Sequence, residues 1–259
     1  NDLCNADVEL GDLLIHEGAA DEAQAHAAEV FGADRTYFVL NGTSTSNKIV
    51  TGALLRRGAR VLFDRNNRKS LDQGALVQAG AVPIFLPTAR NAFGMIGPVD
   101  WEAWDEANLR EQIRSNPQVK DKSLADAPRP FRMACIQLCT YDGTVYNVRK
   151  VLERIGHLCD YVLWDEAWIG YNAFHPLFDG HSPMRLESLS PESCGLFSAQ
   201  SVHKQGAGFS QASQIHKRDE HLRGQKRFVD HARFNESFLQ HVSTSPFYPL
   251  FASLDVNAK

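Results

Sequence analysis

The sequence predicts an α/β fold built on a largely parallel central sheet, and three observations support this prediction. Short apolar runs rich in β-branched and aromatic residues recur along the chain, each bounded by turn residues. Longer segments of helical character separate these runs. The runs are apolar at consecutive positions, which is typical of strands buried on both faces, and the intervening helices then form right-handed crossovers.

The first half of the chain supplies three of the predicted strands, which span residues 36–40, 60–64 and 82–86. Helices are predicted between them, at about 48–55 and 73–78. The small residues 42–44 mark the turn between the first strand and the first helix, because glycine and hydroxyl side chains commonly end one element and start the next.

The second half continues the alternation, with strands at 132–138 and 161–165, a helix at 148–157 between them, and an apolar run at 195–197. Residues 115–130 are polar and contain prolines, which predicts an excursion loop. Residues 209–217 are expected to form a strand that returns beside the sheet. The last residues, 253–259, resemble a helix without a glycine or proline stop signal, so we expect the chain to be a fragment of a longer domain.

The composition narrows the class of protein. A hydrophobic fraction of 43% and a charged fraction of 22% are ordinary for a folded domain and exclude a disordered tail. The net charge of −4 argues against a dedicated nucleic-acid-binding surface, and no apolar run approaches the length of a membrane span. The five cysteines are scattered and residues 1–7 show no secretory signal, so we expect a cytoplasmic protein without disulfides or a metal site.

Three groups of residues at predicted strand ends could carry chemistry, because ligands of open α/β sheets bind at the carboxyl ends of the strands. The first group contains Thr43 and Ser44, between a strand and a helix. Hydroxyls and exposed helix amides at such a place suit a phosphate. An ordinary helix N-cap is the alternative interpretation.

The other two groups supply an acid and an amine. Asp165 ends an apolar strand, where a partly buried carboxylate needs a cationic partner or several hydrogen-bond donors, although a simple N-cap is the alternative. Lys204 follows the run that ends near Phe197, and desolvation there would make its amine a usable nucleophile. A lysine whose charged end reaches solvent at a sheet edge is the alternative.

Together, a phosphate cradle, a buried carboxylate and a strand-end lysine match the needs of pyridoxal phosphate. The lysine forms a Schiff base with the aldehyde, the carboxylate keeps the pyridine nitrogen protonated, and the helix terminus holds the phosphate.

Five separated motifs also resemble the bacterial ornithine/lysine/arginine decarboxylases, which are pyridoxal-phosphate enzymes of the aspartate-aminotransferase fold. The motifs are FVLNGTS (38–44), FDRNN (63–67), TYDGT (140–144), SVHKQ (201–205) and STSP (243–246). The likeness runs over nearly the whole chain. The paired asparagines at 66–67 and the SVHKQ motif are most similar to the ornithine branch of the family. The resemblance implies a three-layer large domain over residues 1–259, lacking the family's N-terminal wing, the start of the cofactor domain and the C-terminal domain.

The resemblance also implies a role for each site residue. Lys204 would carry the cofactor and Asp165 would pair with its pyridine nitrogen. Phosphate contacts would come from Thr43, Ser44, Ser201 and His203. Ala167 would pack on the cofactor ring and Trp168 would line the substrate pocket. Ser243 would reach the phosphate of a neighbouring subunit, which implies a homodimer with shared active sites. The implied reaction removes CO2 from a basic amino acid and converts ornithine to putrescine.

One position departs from the family's pattern. Where the family has a histidine that stacks on the cofactor, this chain has Arg68. A permanently charged guanidinium about 4 Å from a pyridinium would be repelled by roughly 4 kcal/mol at an effective dielectric constant near 20. Arg68 could therefore turn into solvent, bind the substrate carboxylate or the cofactor phosphate, or mark a domain with impaired decarboxylation.

Two rival functions therefore stay open beside decarboxylation. One is a non-catalytic or regulatory cofactor-binding module. The other keeps the cofactor but catalyses transamination or another Cα lyase reaction, since the fold does not choose which bond breaks.

Overall fold

The computed structural model describes residues 8–64 and 67–259, which form an α/β structure with a central seven-stranded sheet. The strands are β1 (Arg35–Val39), β2 (Arg60–Asp64), β3 (Val82–Leu86), β4 (Thr88–Arg90), β5 (Ile96–Val99), β6 (Phe131–Gln137), β7 (Cys159–Asp165), β8 (Gly195–Gln200) and β9 (Ser213–Arg218). The α-helices are α1 (Ala19–Phe31), α2 (Thr43–Leu54), α3 (Lys69–Leu71), α4 (Glu106–Ser115), α5 (Val148–Ile155), α6 (Val202–Gln205), α7 (His231–Leu239) and α8 (Tyr248–Ala258).

The strand order is β1-β9-β8-β7-β6-β2-β3, and the prediction of a largely parallel sheet is confirmed. The five strands from β8 to β3 run parallel to their neighbours, whereas β9 is antiparallel to both β8 and β1. The strands β4 and β5 form a separate antiparallel hairpin. In the parallel part all carboxyl ends meet at one edge of the sheet, and this arrangement positions the candidate site.

Helices cover both faces of the sheet, which gives three layers. Alternate residues of each central strand enter different cores: in β7, Leu163 packs with α2, α7 and α8, whereas Val162 and Trp164 pack with α4 and α5. All three side chains are fully buried. The apolar runs therefore reflect burial on two faces, as the sequence predicts.

The predicted strands match the observed ones closely. Those at 60–64 and 82–86 coincide with β2 and β3, and the others are displaced by one or two residues at an end. The predicted returning strand begins later than expected, at Ser213, because residues 209–212 turn before they join the sheet. Two parts of the sequence that carried expectations lie outside the described residues. They are residues 1–7, which include Cys4, and Arg65 and Asn66 of the FDRNN motif.

Several regions were not predicted. The helices α1, α4 and α7 and the β4–β5 hairpin have no counterpart in the sequence interpretation, and α1 is rich in alanine, which gives little contrast between its two faces. Within the predicted loop 115–130, residues Lys122–Asp126 form a 3-10 helix, and Arg110 binds it through the carbonyl oxygens of Ala125 and Ala127.

The helix predicted at 73–78 starts earlier, at Lys69, and continues in π-helical form over Asp72–Gln78. It packs against α2 so closely that a Cβ atom on Gly74 would lie 2.2 Å from Oγ1 of Thr51. Only glycine fits this contact without displacement. No helix in the described part of the chain is long and apolar enough to cross a membrane.

Candidate active site

Asp165 forms the centre of the candidate site. It is the last residue of β7, and its side chain is fully buried. Its Oδ1 accepts a hydrogen bond of 3.0 Å from the backbone amide of Ala167, and its Oδ2 accepts one of 3.2 Å from Nδ2 of Asn47. These donors satisfy the carboxylate oxygens and fix their orientation, because a buried carboxylate is stable only when paired or hydrogen-bonded.

Arg68 supplies the cationic partner of this carboxylate. Its Nε lies 3.1 Å from Oδ2 of Asp165, and its side chain is only 18% exposed. Nη1 donates a hydrogen bond of 3.2 Å to the hydroxyl of Tyr141. Of the three alternatives left open for Arg68, the turn into solvent does not occur: the negative charge of Asp165 attracts the guanidinium to the buried end of β7.

Lys204 lies over the same Trp168 ring as Arg68. Its Nζ is 4.2 Å from the centre of the Trp168 ring, and Cζ of Arg68 is 5.8 Å from the same ring centre. The lysine is exposed and lies in α6, the short helix that follows β8. Partial desolvation and then the charge of Arg68 lower the pKa of Lys204, while Asp165 acts in the opposite direction. A lowered pKa leaves more of the neutral, nucleophilic amine at neutral pH.

A pair of hydroxyls lies at the start of α2. Oγ1 of Thr43 and Oγ of Ser201 are 2.5 Å apart, and both residues are buried. Gly42 precedes the helix with a φ of 78°, a conformation that favours glycine. The first amides of a helix have no intrahelical acceptor, so this end of α2 offers donors to an anion. Ser44, the second residue of α2, is exposed.

The remaining predicted residues are placed as follows. Ala167 is buried beside Asp165, and Trp168 is half-buried between Lys204 and Arg68. Nδ1 of His203 lies 3.0 Å from the carbonyl oxygen of Ala212. Ser243 is not part of this cluster: it is exposed, accepts a bond from the Ser245 amide and lines a groove with Phe38 and Phe247.

Sequence reasoning missed several residues of the site. Nδ2 of Asn47 donates hydrogen bonds to Oδ2 of Asp165 and Oγ of Ser70. Asn47 follows Thr43 by one helical turn, so the two lie on one face of α2, and this spacing could have identified Asn47 as a site residue. Tyr141 lies edge-to-face against Trp168 at 5.4 Å. Gln137 ends β6 in register with Asp165. Because β6 and β7 are adjacent and parallel, the strand-end rule applies equally to Gln137.

A second buried carboxylate, Glu166, was also missed. It accepts hydrogen bonds from Oγ of Ser198 at 2.5 Å and Nε2 of Gln200 at 2.7 Å, and Nδ2 of Asn172 lies 3.4 Å away. Burial raises the pKa of Glu166 to about 7. It points into a different part of the interior from Asp165, so the two adjacent acids have separate surroundings.

The residues present fit pyridoxal phosphate. An amine, a buried carboxylate and a hydroxyl pair are the donor set that its aldehyde, pyridine nitrogen and phosphate need. Buried polar atoms around Asp165 also have no hydrogen-bond partner among residues 8–64 and 67–259; they include Oδ1 of Asn47, Nε and Nη2 of Arg68 and Nε1 of Trp168. The approach of Nε to Asp165 is therefore an ion pair without hydrogen-bond geometry. A polar ligand at this place would satisfy atoms that are otherwise costly to bury.

The sequence of this chain is similar to those of known amino-acid decarboxylases. The family model for the major domain of Orn/Lys/Arg decarboxylases matches residues 1–259. The constitutive ornithine decarboxylase of Escherichia coli is 62% identical over all of this chain and 36% of its own length. Four ornithine decarboxylases match at 55–62% identity, and lysine and arginine decarboxylases at 35–41%. The chain spans about a third of the length of these relatives.

Solved structures agree with this. Lysine decarboxylase A from Pseudomonas aeruginosa superposes with a TM-score of 0.89 at 39% identity, over 99% of this chain and 33% of that one. An L-threonine transaldolase from Pseudomonas fluorescens, at 16% identity and a TM-score of 0.59, covers 96% of this chain and 46% of its own and shows the shared fold alone. From the family match and these likenesses together, the chain belongs to the Orn/Lys/Arg decarboxylase family and corresponds to its major domain.

Proposed function

We propose that this chain is the cofactor-binding part of a pyridoxal-phosphate-dependent decarboxylase that converts ornithine to putrescine and CO2. The observation that carries the proposal is that Lys204 and Arg68, the ion-pair partner of the buried Asp165, both lie over one indole ring, that of Trp168. An amine and a buried carboxylate so arranged can hold opposite ends of one aromatic aldehyde. Residues 1–259 would then be an incomplete major domain, completed by segments outside this chain.

Three groups of the chain would hold the cofactor. Lys204 would bind its aldehyde carbon, Asp165 its pyridine nitrogen, and the pair Thr43–Ser201 its phosphate, with help from Ser44 and His203. Ala167 would pack on the ring face, since it lies buried next to Asp165. When bound, pyridoxal phosphate supplies an electron-accepting ring that takes up the electron pair left by the departing CO2.

The chain's own residues would prepare this chemistry in two ways. The lowered pKa of Lys204 keeps part of its amine neutral for attack on a carbonyl and for release in favour of the substrate amine. The amide of Ala167 and the side chain of Asn47 orient the carboxyl group of Asp165, so that it can accept a hydrogen bond from a ring N–H. Trp168, beside Nζ of Lys204, shields one side of the reacting region from water.

Ornithine is proposed as the substrate because the relatives named ornithine decarboxylases share more identity with this chain than those named for lysine or arginine. We also propose a cytoplasmic homodimer in which Ser243 serves the site of the neighbouring subunit. The exposure of Ser243 supports a role outside its own subunit's site. Cys135, Cys139, Cys159 and Cys194 are free thiols, as a reducing compartment requires.

A second candidate, a cofactor-binding module with impaired turnover, is favoured by one observation. Arg68 already occupies Oδ2 of Asp165 at 3.1 Å. A guanidinium there weakens the hold of the acid on a pyridine N–H and opposes its positive charge. Cofactor binding would survive, because the amine and the hydroxyl pair are unaffected, whereas decarboxylation would slow.

Two measurements on the full-length protein test the proposal. Visible absorbance that is lost on borohydride reduction, with the cofactor mass found on the Lys204 peptide, would support cofactor attachment. The charge-preserving Lys204→Arg variant should show neither. Release of labelled CO2 from ornithine, but not from lysine or arginine, would then support the substrate. Cofactor attachment without CO2 release would favour the impaired module, and no attachment at Lys204 would refute both.

A further inference from the structure

A buried chain of polar side chains crosses the sheet from the end of β7 to β1. Nε2 of Gln200, in β8, donates a hydrogen bond of 2.7 Å to Oε2 of Glu166. Nε2 of His216, in β9, lies 3.1 Å from Oε1 of Gln200. Oγ1 of Thr36, in β1, lies 2.8 Å from Nδ1 of His216. All four side chains are buried, so they form one continuous hydrogen-bonded chain in the interior.

The hydrogen bonds of this chain all run in one direction. Oε1 of Gln200 also accepts a hydrogen bond of 2.8 Å from Nε2 of Gln214, which leaves the amide nitrogen of Gln200 to face Glu166. Burial lowers the pKa of His216 to about 3, so its ring is neutral. The ring then donates from Nε2 and accepts from Thr36 at Nδ1. Every donor is therefore directed toward Glu166, and such chains polarise and strengthen their own hydrogen bonds.

The carboxyl group of Glu166 is held by neutral donors. Oγ of Ser198 and Nε2 of Gln200 both donate to Oε2, at 2.5 and 2.7 Å, and Nδ2 of Asn172 lies 3.4 Å from Oε1. A buried acid is stable in a protein only when such donors satisfy it. The positions of Glu166 and Gln200 are therefore fixed relative to each other.

Glu166 lies on the opposite face of the sheet from Asp165. Its backbone amide donates to the carbonyl oxygen of Ala199 at 2.9 Å, so the strand alternation of β7 continues by one residue. Asp165 shares its face with Leu163, whereas Glu166 shares that of Trp164. Glu166 is therefore turned away from a ligand bound at Asp165 and can affect it only through other residues.

The contact between Glu166 and Gln200 joins the two segments that would hold the cofactor. Glu166 directly follows Asp165, and Gln200 directly precedes Ser201. The residue pairing of β7 and β8 ends at Asp165 opposite Ala199. The side-chain hydrogen bond thus connects the two segments one residue beyond the paired strands, where both enter the candidate site.

We propose that Glu166 is a positioning residue for the cofactor and that it acts through its hydrogen bond with Gln200. The inference rests on the proposed function, because it concerns the acid that would bind the pyridine nitrogen and the hydroxyl that would bind the phosphate. The separation of these two groups must match one rigid molecule. Sites of this kind need their groups held to within about 0.5 Å, and a hydrogen bond between the supporting segments provides this.

Titration of the cofactor-free, full-length protein with pyridoxal phosphate tests this inference. Gln200→Met removes the amide that binds Glu166 and should weaken cofactor affinity about tenfold, as loss of a partner behind a ligand-binding group commonly does. Ser198→Ala is the matched control. It removes the other donor to the same carboxyl oxygen, but Ser198 lies within β8 and does not adjoin Ser201. Its cofactor affinity should equal that of the unmodified protein.

Two further variants test the acid itself. Glu166→Ala should weaken cofactor affinity as much as Gln200→Met, and the double variant should be no weaker than either, because both remove one contact. Glu166→Gln keeps an oxygen that can accept from Gln200 and should retain the affinity. Circular dichroism of the bound cofactor, which reports its orientation, should change in the first two variants and not in Ser198→Ala.

Urea unfolding separates positioning from stability alone. Gln200→Met and Ser198→Ala each lose one buried hydrogen bond and should both be less stable than the unmodified protein. The inference is overturned if Ser198→Ala loses as much cofactor affinity as Gln200→Met, or if Gln200→Met and Glu166→Ala bind the cofactor normally. If Gln200→Met does not fold, the comparison of Glu166→Ala with Ser198→Ala decides. Failure of the unmodified protein to bind the cofactor would refute the proposed function and this inference with it.

Discussion

Arg68 competes with any pyridine N–H for the same oxygen of Asp165, because its Nε lies 3.1 Å from Oδ2. This geometry was not available from the sequence, which left the direction of the side chain open. The outcome follows from charge: a fully buried carboxylate with two neutral donors is stabilised further by a nearby cation. The identity of residue 68 therefore sets how strongly Asp165 can act on a bound cofactor.

We predict that Arg68→His increases the rate of CO2 release from ornithine by at least tenfold in the full-length protein. A histidine can be neutral, so it removes the permanent charge that opposes a protonated ring. Steady-state kinetics with saturating cofactor measures the effect. Arg68→Lys keeps the positive charge and serves as the control, with a rate close to that of the unmodified protein. An equal rate in all three proteins would show that the ion pair does not limit turnover.

The second prediction for a single residue concerns Glu166 and the pH dependence of stability. Its pKa is raised from 4.5 to about 7 by burial, so the folded state retains a proton that the unfolded state has lost. The resulting stabilisation is complete below the unfolded pKa and disappears as the pH rises through about 7. We therefore expect the unfolding free energy of the unmodified protein to fall as the pH rises from the ordinary glutamate pKa of 4.5 to above 7. This fall should exceed that of the Glu166→Gln variant by roughly 3 kcal/mol.

Urea unfolding of both proteins at several pH values in this range measures the difference. All other titratable groups are the same in both proteins, so their contributions cancel in the comparison. Parallel curves would mean that Glu166 is ionised throughout, held so by its hydrogen bonds from Ser198 and Gln200.

At the scale of elements, the contact between α2 and the segment Lys69–Gln78 holds two sides of the site together. From α2 come Thr43 and Asn47, whereas Arg68 and Ser70 lie at the start of the other segment, and Asn47 binds Ser70 at 3.1 Å. The closest approach is at Gly74, where a Cβ would lie 2.2 Å from Oγ1 of Thr51. A change in this packing would move the residues around Asp165.

We predict that Gly74→Ala lowers the unfolding free energy by about 1–3 kcal/mol, as overpacking of a close contact usually does. It should also weaken cofactor affinity, because the segment carrying Arg68 and Ser70 must shift. Gly156→Ala is the matched control, since its Cβ would meet nothing closer than 3.5 Å and its backbone is helical. Chemical denaturation and cofactor titration of both variants test this, and equal stabilities would contradict the inferred contact.

The strands were predictable from the sequence, whereas several helices were not. Runs such as 60–64 and 82–86 are apolar on both faces, and burial on both faces leaves a pattern that a single sequence displays. The helix α1 has no such contrast, because alanines occupy both its buried and its solvent side. The residues around Asp165 were predicted only where they end a strand or where the family motif implies a role. Asn47 does neither, and Tyr141 lies in the TYDGT motif, for which no role was inferred.

At the scale of the whole molecule, positive charge is concentrated at one pocket, although the net charge of the chain is negative. The pocket lies between the end of α2 and the starts of β2, β6 and β7. The cations that line it come from positions between 56 and 233, and only the fold brings them to one edge of the sheet. The net charge of −4 reflects acidic residues elsewhere on the surface. Composition therefore argues against a broad nucleic-acid surface but does not reveal where the cations are concentrated.

The proposed sharing of active sites between subunits leads to a complementation experiment. Lys204→Ala removes the amine from its own subunit's site, and Ser243→Glu places a negative charge beside the phosphate in the neighbour's site. When the two inactive full-length variants are unfolded together and reassembled, each mixed dimer should contain one intact site. Random pairing then restores roughly a quarter of the unmodified activity, because half of the dimers are mixed. If Ser243 serves its own subunit instead, every site keeps a defect and the mixture stays inactive.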